Sequence, residues 1–175
     1  MKNTLKSVML LFAVTFFSFV NAQNITGKST KIAVDGTSPM HDWTMTASSA
    51  NFSGTVNGNA ITNVKFSMPA KNLKSTKGKM MDNKAYDALK ADKAPNISFT
   101  AASLAVGKST LAGKLTIAGV TKDVSFPVNV VKNGASYNIT GTENLKLSDF
   151  GMERPGFMGV KTGDAIKVTV NIVAN

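Results

Sequence analysis

The sequence predicts an all-β domain of about eight antiparallel strands with one short α-helix inserted among them. Three observations carry this expectation. Apolar and polar residues alternate with a period of two through most of the chain, Gly, Asn and Pro punctuate these runs, and a single segment repeats at helical spacing. Each strand thus gains one apolar face, which a closed barrel and an open sandwich bury equally well.

At the N-terminus, Lys2 and Lys6 precede an uncharged, largely apolar run over residues 8–20, and Val20, Asn21, Ala22 form a small-residue cleavage pattern before Gln23. Residues 1–22 are expected to be a cleaved signal peptide, and residues 23–175 one domain with a single core. The run falls short of the ~20 residues a spanning helix needs. The expected product is therefore exported to the periplasm or secreted, and does not span the membrane. No cysteine is present, so neither a disulfide nor a thiol nucleophile nor an acylated anchor is available.

The remaining elements follow in order. Ile32 and Val34 begin a strand that Gly36, Thr37, Ser38 and Pro39 break. A second strand starts near His41, with Trp43, Met45 and Ala47 facing one way and Thr44 and Thr46 the other. Phe52, Gly54 and Val56 continue the alternation to the hairpin signal Asn57, Gly58, Asn59. Ala60, Thr62, Val64, Phe66 and Met68 then share a face, and Pro69 ends their strand before a loop over residues 73–78. Met81, Ala85, Ala88 and Leu89 mark a helix over residues 79–91, stopped before Pro95. Ile97, Phe99 and Ala101 restore the period of two. Gly113, Leu115 and Ile117 pair as a hairpin with Val124, Phe126, Val128 and Val130 around a turn at Gly119, Val120, Thr121. Pro127 cannot donate a ladder bond, which predicts a bulge or strand break there. Tyr137, Ile139 and Gly141 open a strand running irregularly to Leu145, Leu147 and Phe150. After a glycine-rich loop over residues 151–163, Ile166, Val168, Val170 and Ile172 close the chain.

Few residues can carry covalent chemistry. Beyond residue 22 there are one histidine and two glutamates, and Asp42 adjoins His41 in a strand pattern that points the two to opposite faces. No nucleophile-elbow motif accompanies them, so the sequence is not that of an enzyme. No catalytic residue, metal site or cofactor is expected. Seven methionines, Met40, Met45, Met68, Met80, Met81, Met152 and Met158, are soft ligands that with His41 could take Cu(I), but they lack a metal-binding spacing. Adaptable packing in an apolar cavity is the preferred use. The formal charge of +10 includes the two leader lysines, leaving +8 on the domain. Such a charge suits nucleic acid, an anionic membrane surface or an anionic head group, and export sets nucleic acid aside. Lys71, Lys74, Lys77, Lys79, Lys84, Lys90 and Lys93 form the densest basic region, read first as a solvated face.

Two sets of residues carry a family resemblance: Pro95, Ile97, Phe99 after the helix, and Leu115, Thr116, Ile117, Gly119, Thr121, Val124 through the hairpin. In this order they resemble the YceI-like family of exported proteins. The resemblance implies an eight-stranded lipocalin-like barrel rather than a sandwich, and a polyisoprenoid chain, such as a quinone tail, held along its axis. The segment from Gly36 to Trp43 departs from the commoner family pattern. It reads either as a turn whose Trp43 fills the barrel end, or as a rim where His41 and Trp43 meet a ligand head group.

The expected function is an exported carrier, monomeric or weakly dimeric, that sequesters an isoprenoid or other long amphiphilic lipid. Its tail would lie among Trp43, Met45, Phe66, Met68, Leu89, Phe99, Leu115, Ile117, Phe126 and Val168. At ~0.8 kcal/mol per buried methylene, a five-carbon unit contributes at most about 4 kcal/mol, so a few units overcome the ordering cost. The helix over residues 79–91 and the loop over residues 151–163 are the expected lids. The alternative is an envelope-stress or surface interaction protein whose barrel is filled by its own side chains.

Overall fold

The computed structural model describes residues 22–157 and 159–175. The expected signal peptide lies outside the described residues up to residue 21, as does Met158. The elements are β1 (Gln23–Gly36), β2 (Trp43–Ala47), β3 (Asn51–Asn57), β4 (Ala60–Pro69), β5 (Lys74–Ser75), α1 (Lys79–Ala88), β6 (Asn96–Ala105), β7 (Gly107–Ile117), β8 (Val120–Asn133), β9 (Ser136–Lys146), β10 (Gly156–Phe157), β11 (Val160–Lys161) and β12 (Ala165–Ala174).

Eight of these strands form a closed antiparallel barrel in the order β12, β9, β8, β7, β6, β4, β3, β1, with β1 returning to β12. The sandwich is therefore excluded, and each of the eight has a partner on both sides, β6 and β7 pairing only over residues 98–100 and 114–116. β1 serves two partners on one side: residues 23–26 pair with β3, and residues 32–36 with β2, to which β5 adds two residues. The longest connection between barrel strands among the described residues runs from β4 to β6, and α1 lies within it.

Register explains where simple alternation misled. The β1–β12 pairing shifts between Gly27 and Ser29, so Ile25 faces inward on one phase and Thr30 and Ile32 on the other. That flip hid the first half of β1, which begins at Gln23 rather than near Ile32. In β4, Ile61 is fully buried and Ala60 and Thr62 are not, contrary to the single face expected. β4 carries one residue more than β3 between Ser53 and Thr55, and Asn63 takes a left-handed φ of 52° there, after which Val64 and Met68 point inward.

Smaller corrections have similar causes. The β7–β8 turn is Ala118–Gly119, with φ of 51° and 80°, one residue ahead of the expected position. Both values suit a two-residue primed turn, which matches the twist of the strands it joins. Residues 73–78 contain β5 rather than loop alone, α1 ends at Ala88 rather than 91, β2 starts at Trp43 rather than His41, and the loop over residues 151–163 contains the β10–β11 hairpin. Pro127 causes no bulge toward β7, where Thr110 faces it in register. Toward β9 the ladder ends at Val128 and Gly141, one residue from the missing donor.

The core has two buried clusters. One, at the end covered by α1, includes Met45, Met68, Leu73, Leu89, Ile117, Leu147 and Phe150. The other, at the opposite end, includes Ile25, Ile61, Leu104, Val130, Tyr137 and Ala174. Phe66, Leu115, Val124 and Val170 pack against both.

Candidate functional site

Between the two clusters lies an apolar cavity of about 210 Å³. An apolar cavity of ~150 Å³ stays dry and accepts benzene, so this one has room for roughly eight carbon atoms, between one and two isoprene units. Its position follows from register. On β2, β1, β12 and β9 the inward residues align in rows: Trp43, Gly36, Ile166 and Leu145 nearest α1, then Met45, Val34, Val168 and Glu143, then Ala47, Ile32, Val170 and Gly141. Gly36 is required in the first row, because a Cβ there would fall inside the Trp43 ring. Gly141 leaves the third row open toward Phe126 and Val128.

All ten residues expected to surround a tail line this cavity. Met45, Met68, Leu89, Phe99 and Ile117 are buried, and Trp43, Phe66, Leu115, Phe126 and Val168 half-buried. Phe99 and Phe126 make a tilted ring pair at 5.7 Å on one wall. His41 is exposed and does not line the cavity; its Nδ1 lies 3.1 Å from the Asp42 carbonyl. Trp43 donates its indole N–H to the Thr37 carbonyl at 3.2 Å and turns its ring to the interior.

Both expected lid segments reach the cavity. Ala85, Ala88 and Leu89 come from the helix and the turn after it, and Leu147, Phe150, Met152 and Pro155 from the stretch after β9. Polar contacts hold these segments in place. Lys84 Nζ donates to the Gly156 carbonyl at 2.8 Å and Lys90 Nζ to the Gly151 carbonyl at 3.1 Å, tying the helical crossover to the loop. Asp164 accepts from the Ser148 N–H at 2.9 Å and the Ser148 hydroxyl at 2.6 Å, which hold its carboxyl below the ordinary carboxylate range. The buried Asp82 accepts the Ser75 N–H at 2.6 Å and fastens β5 to α1.

Sequence reasoning missed both charged members of the wall, Lys146 at the end of β9 and, two positions before Leu145, Glu143. It follows Ile139 and Gly141 on the inward phase of β9 and faces Val168 of β12. Burial raises its carboxyl above the ordinary glutamate range, against the Asn144 backbone N–H, which lowers it. The strict odd-numbered phase from Tyr137 to Leu145 was the available signal. Leu104, Leu111 and Ile139 were also missed as wall residues. Leu104 follows a change of phase within β6, where Phe99 and Leu104 are both buried. Among the described residues no group of three or more His, Asp or Glu could hold a metal ion, and no helix is long and apolar enough to cross a membrane.

Comparison with known proteins converges on one architecture. The profile of the YceI-like domain matches residues 15–174. No curated protein sequence matches the chain. Among solved structures, BcnA of Burkholderia cenocepacia superposes with a TM-score of 0.71 at 18% identity, covering 83% of this chain and 96% of its own. A polyisoprenoid-binding domain of Saccharophagus degradans, implicated in plant cell wall breakdown, gives 0.70 at 12% identity, covering 86% and 97%. The YceI protein of Campylobacter jejuni gives 0.53 at 19% identity, covering 99% and 97%. At these identities the structural likeness speaks for the fold.

Proposed function

The chain belongs to the YceI-like domain family, and from that premise we propose that it is an exported binding protein holding the apolar tail of a polyisoprenoid or similar long amphiphile inside the barrel. The observation that carries the proposal is a closed barrel whose two core clusters leave an apolar void of about 210 Å³ between them. A self-filled barrel would pack that space at crystal-like density, since each unfilled volume costs stability. The polyisoprenoid-binding domain from Saccharophagus supports the ligand class. Export rests on Lys2, Lys6 and the uncharged run before Ala22. The chemistry is burial alone, without bond making.

The void accommodates a short length of tail, and a longer one enters as Met45, Met68 and Met152 change rotamer and the covering segments yield. Extraction of the natively purified protein, followed by mass spectrometry, tests the reading. A stoichiometric apolar molecule is expected from the natural chain and less of it from Val168→Phe, whose four added carbons take up about half of the cavity. A folded protein that never retains such a molecule returns the alternative of a self-contained interaction protein. N-terminal mass analysis of the exported product checks the leader, and retention of Met1 there contradicts it.

A further inference from the structure

Glu143 stands in the barrel wall, and nothing in the packing requires an acid there. It shares an inward row with Met45, Val34 and Val168, and the rows to either side carry no charge. Of the two charged residues of the wall, Lys146 is exposed at the end of β9 and acts on Asp164, whereas Glu143 is half-buried. No side chain among the described residues ion-pairs or hydrogen-bonds with the Glu143 carboxyl, whose one partner is the Asn144 backbone N–H. A leucine at this position would escape the desolvation that the carboxyl suffers, so the fold by itself favours an apolar residue.

The strands leave access beside this acid. The β8–β9 ladder ends at Val128 and Gly141, so from Thr142 onward β9 has no strand partner on its β8 side among the described residues. Phe126, two residues before Val128, and Glu143, two residues after Gly141, line the cavity at the level where the strands have parted. A half-buried carboxyl there meets apolar space on one side and water on the other, which is the setting for the polar end of an amphiphile.

We propose that Glu143 receives the head group of the bound amphiphile and selects an uncharged head that carries a hydrogen-bond donor, as a primary alcohol does. The inference rests on the tail-binding reading and adds to it the chemistry of the head and the direction of the ligand. The head lies at Glu143, one row in from the end covered by α1, and the tail runs on past Gly141 toward Ile139. A carboxylate accepts a hydrogen bond from a hydroxyl, finds no donor on an ether and repels a phosphate. A cationic head is disfavoured from the other direction, since it would have to leave water for an apolar wall on a domain with an excess of cations.

Calorimetric titration at pH 8 with a two-unit prenyl alcohol, its methyl ether and its monophosphate provides the test, because the three share a tail and differ only at the head. The natural protein is expected to bind the alcohol about tenfold or more tighter than either of the others. Glu143→Leu should erase the preference for alcohol over ether, weakening the alcohol about tenfold and leaving the ether bound at least as well as before. Glu143→Gln keeps a neutral acceptor and should tighten the phosphate severalfold. Circular dichroism reports whether both variants keep the barrel. Equal affinity of the natural protein for alcohol and ether, tighter binding of the phosphate, or an unchanged preference in Glu143→Leu overturns the head-group assignment while the tail-binding reading stands. If none of the three chains binds, the tail-binding reading falls and this assignment falls with it.

Discussion

Single side chains divide into those that shape the cavity and those that pin its cover, and pH separates two of them. Burial raises the Glu143 carboxyl, so the folded state keeps that proton to a higher pH than the unfolded chain. The folded state then binds more protons across that window, and stability falls as pH rises through it. Glu143→Gln is therefore expected to raise the melting temperature relative to the natural protein at pH 7, and to change it little near pH 3. Asp164 has the opposite sign. Its lowered carboxyl contributes stability above the ordinary aspartate range, lost as pH falls through the folded value. Asp164→Asn should destabilise at pH 7 and match the natural protein in acid. Parallel thermal melts at the two pH values check both, and a shared sign would contradict the assignment.

Asp82 tests a different cost. Its carboxylate is buried and accepts the Ser75 N–H, so Asp82→Ala orphans a backbone donor and is expected to cost about 1–3 kcal/mol. Denaturant titration measures this, and a loss below a few tenths would mean that water replaces the contact. The residue scale also shows what alternation can and cannot convey. Of the ten residues expected around a tail, nine were legible because a period of two assigns a face directly and Leu89 because helical spacing does, and all ten line the cavity. Glu143 was not, because an acid in a strand reads as outward until the register of its neighbours forbids it.

At the scale of elements, the covering segments are held from outside by lysine-to-carbonyl bonds, Lys84 to Gly156 and Lys90 to Gly151. Such contacts, exposed at Lys90 and half-buried at Lys84, are individually weak, as the cover would need to be if a tail enters as proposed. Replacing both lysines by Met should leave the melting temperature within a few degrees while speeding amide exchange over residues 147–157 and release of a bound tail. Unchanged exchange there would show that apolar packing of Leu147, Phe150 and Met152 holds the cover alone. The hairpins and the inserted helix were readable because Gly, Asn and Pro mark their limits. The first half of β1 and the phase of β4 were not, since the irregularities at Gly27–Ser29 and Asn63 reverse the inward face within one strand. Only pairing partners reveal such reversals.

For the whole molecule, closure was the step that periodicity left undecided, because sandwich and barrel impose the same alternation. The β1–β12 pairing decides it, and it links the two ends of the domain in sequence. The resulting barrel separates two forces. Under the proposed function, apolar burial inside is expected to set affinity for a tail, at ~0.8 kcal/mol per methylene, and surface charge, screened beyond ~8 Å at physiological salt, to set encounters outside. Leu115→Met conserves volume and should leave tail binding within a factor of a few, in contrast to Val168→Phe, which takes up about half of the space and should weaken it.

The central claim, that the apolar interior of the barrel holds the ligand, is tested most directly by titrating the domain with prenyl chains of increasing length at a constant head group, at low and high salt. Affinity is expected to rise steeply over the first one to two isoprene units, more gradually as the cover yields, and to change little with salt. Affinity indifferent to tail length but strongly weakened by salt would contradict the account and move the site to the lysines of the surface.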